Sequence, residues 1–182
     1  PSYGACDLGA INLTQFVVSP FTPQAAMNWQ VLQETVRIAT RFLDNVIDVS
    51  RYPLLAQEEM AYKTRRIGLG VTGLADALVM LGIRYGSAES VTLARDIMKT
   101  ISQATWLTSI ELAKEKGAFP LYEKEYLQGE FVRQLDASIQ RELAAHGVRN
   151  SHHNTIAPAG TISLLANNVS NGIEPIFQAS YH

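Results

Sequence analysis

The sequence predicts an α/β fold that is largely helical in its middle and has short strands near both ends. Between residues 29 and 146, apolar side chains recur at spacings of three and four, which is typical of amphipathic helices. Residues 6–13 combine apolar and small side chains, as a short strand does. From residue 149 onward charges become few and Ser, Thr, Asn, Ala and Gly dominate, which is typical of strands and loops that line a site.

The first predicted element is a strand at Cys6–Leu13, where the apolar positions include Leu8 and Ile11. Ser19–Pro23 then breaks regular structure, because its prolines lack backbone donors and restrict the chain direction. In the final segment, Thr155–Ala157 and Ile162–Ala166 are short apolar pieces. Strands are therefore expected near the two ends of the chain.

Four helices are predicted between these ends, each from its apolar periodicity and from the residues that begin or end it. An asparagine caps the first, and glycines end the other three, since glycine accepts the left-handed backbone that follows many helices. Their expected extents are a helix capped by Asn28 and ended at Arg51–Pro53, a run from Leu74 to Leu81 ended by Gly82, a long helix from Ser87 to Lys116 ended by Gly117, and a helix from Glu130 to His146 ended by Gly147.

The composition is that of an ordinary globular chain and excludes several classes of partner. With 182 residues, of which 47% are hydrophobic and 18% charged, residues 1–182 are expected to form a single piece of one domain. Fifteen basic residues against 17 acidic ones leave a formal charge of -2, so neither a nucleic-acid polymer nor a membrane is an expected partner. No leader segment or bilayer-spanning apolar run is recognisable, so we expect a cytoplasmic protein.

Cys6 is the single cysteine, which excludes a disulfide within the chain and fits a reducing compartment. Its neighbours in sequence leave two alternatives, an inert buried thiol or a chemically used one. The chain starts at Pro1 instead of an initiator Met, and we expect that it was cut from a longer polypeptide.

The segment Gly68–Gly73 matches the pattern GxGxxG, which in dinucleotide-binding proteins presents backbone amides to a pyrophosphate at a helix start. The residues before it do not resemble a hydrophobic strand, so close packing of a helix is the favoured interpretation. A nucleotide-binding module that uses Gly68–Gly73 stays an alternative function. A helical scaffold or interaction domain is a second alternative, because amphipathic helix dominates the middle of the chain.

Pro158–Ser163 is the better candidate for binding phosphate. Its small residues let consecutive amides converge, and Thr161 and Ser163 add hydroxyl donors at an expected helix start. A plain turn with a Ser or Thr cap has the same sequence, so the residues alone favour that simpler interpretation.

Two other groups of polar residues predict no site of their own. His152 and His153 are adjacent, so in a strand they point to opposite faces, and no metal site is predicted. Asp44 and Asp48 lie one helical turn apart, and with Arg41 and Arg51 nearby they are interpreted as a solvated or ion-paired face.

Four segments stand out together: Gly4–Leu13 (GACDLGAINL), Arg65–Leu74 (RRIGLGVTGL), Arg149–Ser163 (RNSHHNTIAPAGTIS) and Ser170–Pro175 (SNGIEP). In this order they resemble the large, catalytic subunit of ribonucleotide reductases, and especially the adenosylcobalamin-dependent class. The helices between them correspond in kind, so the resemblance covers essentially the whole chain. A single glycine-rich stretch is weak evidence, whereas four ordered segments are specific.

The resemblance implies that the chain is part of the family's ten-stranded α/β barrel. In that fold a central finger loop carries a cysteine that becomes a thiyl radical, and this sequence holds no matching loop. The resemblance therefore implies that this fragment is inactive by itself. Cys6 matches the second member of the redox-active cysteine pair, whose partner belongs to an earlier strand.

The resemblance also assigns the phosphate-binding residues. Ala159, Gly160, Thr161, Ile162 and Ser163 match the loop whose backbone amides bind the substrate's phosphates. The next segment, Asn171–Pro175, is expected to buttress the barrel, without a catalytic role for Glu174. The chain departs from the family at three positions, with Asp7 where Asn is common, Ala10 where Ser is common and Ala159 where Thr is common.

The activity implied by the resemblance is the reduction of ribonucleotides to 2'-deoxyribonucleotides, with adenosylcobalamin as the cofactor of the full-length enzyme. The implied partners are a ribonucleotide substrate, ATP and deoxynucleoside triphosphate (dNTP) effectors, a thioredoxin-like reductant and further copies in a homo-oligomer. Whether diphosphates or triphosphates are reduced stays open.

Overall fold

The structure is a computed structural model that describes residues 2–178. Two short 3₁₀ helices, Leu13–Phe16 and Lys124–Gln128, accompany the regular elements. In chain order these elements are β1 (Asp7–Asn12), β2 (Val17–Val18), β3 (Ala26–Met27), α1 (Trp29–Val49), α2 (Leu55–Thr64), β4 (Ile67–Thr72), α3 (Leu74–Met80), α4 (Ala88–Lys116), α5 (Glu130–Arg133), α6 (Ala137–His146) and α7 (Gly160–Leu165).

Helices form the middle of the chain largely where the apolar periodicity predicts them. The predicted cap of α1 is confirmed, because Asn28 Oδ1 accepts a hydrogen bond from the Val31 amide at 3.2 Å. The run of α3 and the long helix α4 are also confirmed. Gly117 follows α4 with a φ of 86°, a backbone state that glycine adopts without strain.

The continuous helix expected at Glu130–His146 is wrong, because the chain breaks between α5 and α6. Gln140 Nε2 donates to the carbonyl oxygens of Arg133 and Leu135, at 3.1 and 2.6 Å. These bonds satisfy acceptors at the break that have no partner inside a helix. Asp136, before α6, has a ψ of 140°, which no helical residue adopts.

Besides the two-residue strands β2 and β3, two longer elements, α2 and β4, are not anticipated from the sequence. The apolar and polar residues of α2 are not separated onto different faces, so the helical period gives no signal. All six residues of β4 are buried, so its sequence shows no alternation of apolar and polar side chains. Periodicity therefore gives no signal at either element, because α2 has no separate apolar face and β4 has no exposed one.

The strands form two small sheets, in which β1 pairs with β4 and β2 pairs antiparallel with β3. The extended chain at residues 152–155 also runs along β4. Ile67 N donates to His152 O at 3.2 Å, and Thr155 N donates to Leu69 O at 3.3 Å. The buried strand β4 thus bonds to the beginning of the chain and to its final segment.

The predicted α/β fold is confirmed in its helical middle and in strand β1. Near the other end, Thr155–Ala157 has no regular secondary structure, and Ile162–Ala166 lies mostly in helix α7 rather than in a strand. The strands of residues 2–178 make up two-stranded sheets and no closed barrel. In the same range, no helix has the length and apolar character needed to cross a bilayer.

The described chain divides into two compact units, each with its own buried residues. The first unit comprises residues 2–8, 36–68 and 102–154, and the second comprises the rest. Aromatic and aliphatic side chains from α4 to the start of the final segment form a core cluster in the first unit: Trp106, Ile110, Phe119, Val132, Ile139, Leu143 and Val148. The fully buried aliphatic side chains of the second unit include Leu13, Leu32, Leu69, Leu78, Ile97 and Ile101.

A buried carboxylate organises the charged residues of the first unit. Asp44 is 0% exposed and accepts hydrogen bonds from Arg65 Nε at 2.9 Å and Asn150 Nδ2 at 3.0 Å. Lys116 Nζ and Arg149 Nε each lie 3.4 Å from its second oxygen. Burial opposes ionisation of Asp44, yet the hydrogen bond and charge of Arg65 hold the pKa of this carboxyl below its ordinary value.

The interpretation of Asp44 and Asp48 as a solvated or ion-paired face is confirmed only for the ion pairing. Both carboxylates bind Arg65, and Asp44 is buried rather than solvated. Arg41, the nearby arginine in sequence, instead pairs with Glu115 at 2.7 Å. The arginine that pairs with Asp44 and Asp48 could not be identified from sequence neighbours. Arg65 follows helix α2, which apolar periodicity does not predict.

Candidate functional site

Cys6 lies in the first unit, immediately before strand β1, and its side chain is exposed. The atoms packed around the sulfur still raise the pKa of the thiol, because the thiolate loses part of its hydration. The guanidinium of Arg66 opposes this rise, and the Asp7 carboxyl adds to it. Cys6 is therefore a protonated thiol at neutral pH that solvent can reach.

Two charged neighbours of Cys6 are less fully hydrogen-bonded than the residues around Asp44. Asp7 Oδ2 and Arg66 Nε are buried and make no hydrogen bond to any residue in the described part of the chain. Burial raises the pKa of the Asp7 carboxyl, although a hydrogen bond from the Leu8 amide lowers it. The surroundings of the thiol thus contain unused hydrogen-bonding capacity.

The predicted phosphate-binding loop, Ala159–Ser163, lies in the second unit and begins helix α7. Ala159 and Ser163 are buried, whereas the three residues between them are exposed. The amides of those three residues belong to the first turn of α7, so no carbonyl of the helix can accept from them. The loop therefore offers successive N–H donors that an anion can bind.

The hydroxyl of Ser163 points into the loop rather than toward solvent. Ser163 is 1% exposed, and its Oγ donates to Asn171 Oδ1 at 2.6 Å and lies 2.8 Å from Gly160 O. Ser163 was expected to add a donor for phosphate, but this hydroxyl is already bonded within the fold. Thr161 carries the exposed hydroxyl of the loop.

Asn171 contacts both ends of the loop, a role that sequence reasoning missed. Its backbone oxygen accepts from the Ala159 amide at 3.0 Å, and its side chain accepts from Ser163. Its own amide donates to the carboxylate of Glu174. The only signal in the sequence is that Asn171 lies within the Ser170–Pro175 motif.

An apolar cavity of about 290 Å³ lies in the second unit. Ile156, which precedes the loop, and Ile173, which follows Asn171, both line it. The Tyr85 hydroxyl, also at the cavity, donates to Ile173 O at 2.6 Å. Because aliphatic side chains dominate the lining, the cavity itself does not suit a phosphate.

The GxGxxG segment does not form a phosphate-binding loop. Gly68 and Gly70 lie inside the buried strand β4. A Cβ atom at Gly70 would lie 2.5 Å from Thr155 O, so this glycine permits the close approach of two backbone segments. The nucleotide-binding interpretation of Gly68–Gly73 is therefore wrong, and close packing is confirmed, although of a strand rather than a helix.

The adjacent histidines differ in burial and in contacts. His152 is exposed, and its carbonyl oxygen accepts a hydrogen bond from the Ile67 amide of β4. His153 is 5% exposed, with its ring centroid 4.0 Å from that of Trp106. Burial lowers the pKa of His153 to about 3, so this residue is a neutral part of the core.

Comparison with known proteins gives matches along the whole chain. A family model described as the barrel domain of ribonucleotide reductase matches residues 1–182. The vitamin B12-dependent ribonucleoside-diphosphate reductase of Mycobacterium tuberculosis (strain H37Rv) is 41% identical over 179 residues, which cover 98% of this chain and 22% of that protein. The protein of the same name from Thermoplasma acidophilum is 37% identical over 179 residues, covering 98% of this chain and 21% of that protein.

A eukaryotic relative matches as well. The ribonucleoside-diphosphate reductase large subunit of Caenorhabditis elegans is 35% identical over 182 residues, covering 93% of this chain and 22% of that protein. The chain thus spans about a fifth of the length of the curated relatives that it matches. The resemblance drawn from the four sequence segments is confirmed, and the chain belongs to the family of ribonucleotide reductase barrel domains.

Proposed function

We propose that this chain contributes one redox-active cysteine and the substrate phosphate-binding loop to a ribonucleotide reductase. The whole enzyme would convert ribonucleotides to 2'-deoxyribonucleotides by thiyl-radical chemistry. The observation that carries the proposal is the family match over residues 1–182, which includes both Cys6 and Ala159–Ser163. Both segments then belong to the domain in which the family's chemistry takes place.

Cys6 serves in this proposal as one half of a dithiol. Two thiols are oxidised to one disulfide, and they supply the two electrons and two protons with which the ribose 2'-hydroxyl leaves as water and a C–H bond replaces the C–O bond. Cys6 is the single cysteine of this chain, so the second sulfur comes from another part of the enzyme. The two Cα atoms must then approach to about 4.4–6.8 Å for the disulfide to form.

The properties of the Cys6 thiol support this role. A pKa above the ordinary value keeps the sulfur protonated, so that it carries the hydrogen that the reaction consumes. Exposure of the side chain lets a thioredoxin-like dithiol reach the resulting disulfide and reduce it by exchange.

The loop Ala159–Ser163 serves in this proposal as the binding site for the substrate's phosphates. Support comes from the three exposed residues of its first turn, whose amides have no acceptor within α7. Gly160 has no side chain to obstruct a ligand, and an added Cβ there would meet nothing within 4 Å. Phosphate oxygens would then replace water as acceptors for these amides.

We assign adenosylcobalamin to the full-length enzyme, because relatives of this chain are named vitamin B12-dependent. The apolar cavity of the second unit, about 290 Å³, is at the lower limit for drug-sized ligands and is too small to enclose a corrin. The cofactor, the ATP and dNTP effector sites and the contacts of a homo-oligomer are assigned to the whole enzyme.

A chimeric enzyme tests the proposal. The matching 179-residue segment of the M. tuberculosis relative is replaced by this chain, and deoxynucleotide formation is measured with ribonucleoside diphosphates, adenosylcobalamin and a dithiol. We expect the chimera to turn over and the Cys6→Ser variant to lose multiple turnover, because one sulfur of the dithiol is missing. The purified 182-residue chain alone should form no deoxynucleotide.

The control variant is Asp7→Asn, which introduces the residue that is common in the family next to Cys6. We expect Asp7→Asn to retain turnover. Loss of activity in Cys6→Ser would then be due to the missing thiol and not to a general sensitivity of this segment to substitution. Turnover by the Cys6→Ser chimera at the rate of the unmodified chimera would refute the assigned role of the thiol.

A further inference from the structure

We infer that Asn171 is a positioning residue that holds the phosphate-binding loop in its binding shape, and that Ser163 acts through Asn171 rather than on the ligand. The inference rests on the proposed function of the loop. It deepens that function by assigning the shape of the loop to a side chain outside it.

Asn171 bonds to the residues on both sides of the exposed amides. Its backbone oxygen accepts from Ala159 N at 3.0 Å, and its Oδ1 accepts from Ser163 Oγ at 2.6 Å. Ala159 and Ser163 are 5% and 1% exposed, so these bonds are shielded from solvent. The exposed turn between them is thus held at its two ends by one residue.

Asn171 is itself fixed through its neighbour Ser170. The backbone oxygen of Ser170 accepts from Gly73 N at 2.8 Å and from Thr72 Oγ1 at 2.5 Å. The amide of Ser170 donates to Asp76 Oδ2 at 2.7 Å. These three bonds anchor Asn171 to the corner between β4 and α3, so the loop takes its position from a buried strand.

The corner permits this anchoring only because of its glycine. Gly73 has a φ of 74°, and a Cβ atom there would lie 3.2 Å from Thr14 Cγ2 and 3.3 Å from Val169 Cβ. A larger residue would combine backbone strain with contacts tighter than van der Waals distance. The last glycine of the GxGxxG segment therefore supports the loop indirectly.

The hydroxyl of Ser163 has one proton, which limits what it can bind. A serine hydroxyl donates a single hydrogen bond, and this one is directed to Asn171 Oδ1 or to the nearby Gly160 O. A phosphate could receive that proton only after the hydroxyl had given up its bond within the fold, to Asn171 Oδ1 or to Gly160 O. The geometry thus assigns Ser163 to holding the loop and leaves phosphate binding to the exposed amides.

The test is a titration of the 182-residue chain with cytidine diphosphate, followed through the amide NMR signals of Gly160, Thr161 and Ile162. Cytidine without phosphate is the ligand control. We expect Asn171→Ala to weaken the Kd by about threefold to tenfold, since the loss of one hydrogen bond loosens the loop without removing a direct contact. A Kd within twofold of the unmodified chain, by contrast, overturns the inference.

A double-mutant cycle separates positioning from direct contact. If Ser163 acts through Asn171, Ser163→Ala weakens binding in the unmodified chain but has no further effect in the Asn171→Ala background. If the Ser163 hydroxyl binds phosphate itself, its removal weakens binding by the same factor in both backgrounds, and the inference is rejected.

Ser109→Ala is the control for a general loss of stability. It removes the buried hydrogen bonds between Ser109 and Asn150 in the first unit, so it should lower the melting temperature and leave the Kd unchanged. Equal weakening by Ser109→Ala and Asn171→Ala means a purely structural role and overturns the inference. Absence of cytidine diphosphate binding by both the unmodified chain and the unmodified chimera overturns the proposed loop function instead.

Discussion

The charges around Asp44 and the amides of the phosphate-binding loop represent two opposite uses of polar groups. Asp44 is fully buried, and side chains from several parts of the first unit bond to its two oxygens. In the loop the groups of Ala159 and Ser163 are bonded internally, while the first-turn amides of α7 are left without a helical acceptor. Full pairing stabilises a fold, whereas incomplete pairing leaves donors for a ligand.

The difference between these regions is energetic as well as geometric. A buried charge that loses its partner leaves another charge uncompensated, which is strongly destabilising. An exposed amide that loses a ligand returns to water at little cost. Substitutions around Asp44 should therefore change the free energy of unfolding, and substitutions in the loop should change binding.

The largest expected effect is that of Asp44→Ala. The variant leaves the buried guanidinium of Arg65 without its main partner, and we expect the free energy of unfolding to fall by about 3–5 kcal/mol. Urea denaturation followed by circular dichroism measures the change.

The matched control for Asp44→Ala is Glu115→Ala, which breaks the exposed ion pair with Arg41. Exposed pairs contribute about 0–1 kcal/mol, so its denaturation midpoint should stay close to that of the unmodified chain. Equal stability of the two variants would contradict the claim that the buried ion pair contributes more to folding than the exposed one.

A smaller effect is expected from a methyl group added to each of two glycines. Gly70→Ala forces a Cβ atom against Thr155 O, and overpacking of this kind should lower stability by about 1–3 kcal/mol. Gly160→Ala meets open space, so its stability should change by less than about 0.5 kcal/mol. Thermal denaturation of the two variants measures the difference. A lower melting temperature for Gly70→Ala alone would show that β4 requires glycine for packing and that the loop does not.

The smallest expected effect concerns pH. Burial lowers the pKa of His153 to about 3, so below its ordinary value of about 6.5 the unfolded chain binds a proton that the folded chain does not. Stability should therefore fall as the pH decreases, by about 1 kcal/mol between pH 6.5 and 5.5 from this residue alone. Urea midpoints across that range measure the slope.

His153→Phe is the control for the pH experiment, because it keeps an aromatic ring against Trp106 and removes the titration. The slope between pH 6.5 and 5.5 should become shallower but not vanish, since burial also lowers the pKa of His152. An unchanged slope in His153→Phe would show that this ring does not titrate as its burial requires.

Sequence reasoning succeeds where one physical signal dominates. The amphipathic period and an asparagine cap suffice for α1, and apolar repetition with a terminal glycine suffices for α4. It fails at β4, because a strand buried on both faces and rich in glycine shows no period. The pattern GxGxxG left a nucleotide-binding loop as an alternative, whereas the favoured interpretation, close packing, explains the same glycines.

The candidate site likewise combines features that the sequence predicts with features that only the packing shows. Family motifs singled out Cys6 and the loop, but they did not identify Asn171 as the link between the loop and the corner after β4, because that link depends on hydrogen bonds between distant residues. The inward direction of the Ser163 hydroxyl is likewise a tertiary property. Sequence alone names the residue types of this site, and packing decides which of them can face a ligand.

Arg65 ends α2 in the left-handed conformation, with a φ of 45°, while its guanidinium binds Asp44 and Asp48. Protein engineers often relax such a backbone with glycine, which would here delete the cation that the acidic side chains require. Lysine would keep the charge but not the planar group that reaches two carboxylates. Arg65 is therefore a poor target for substitution, because glycine would relax the backbone but remove the ion pairs, and only arginine supplies the planar cation.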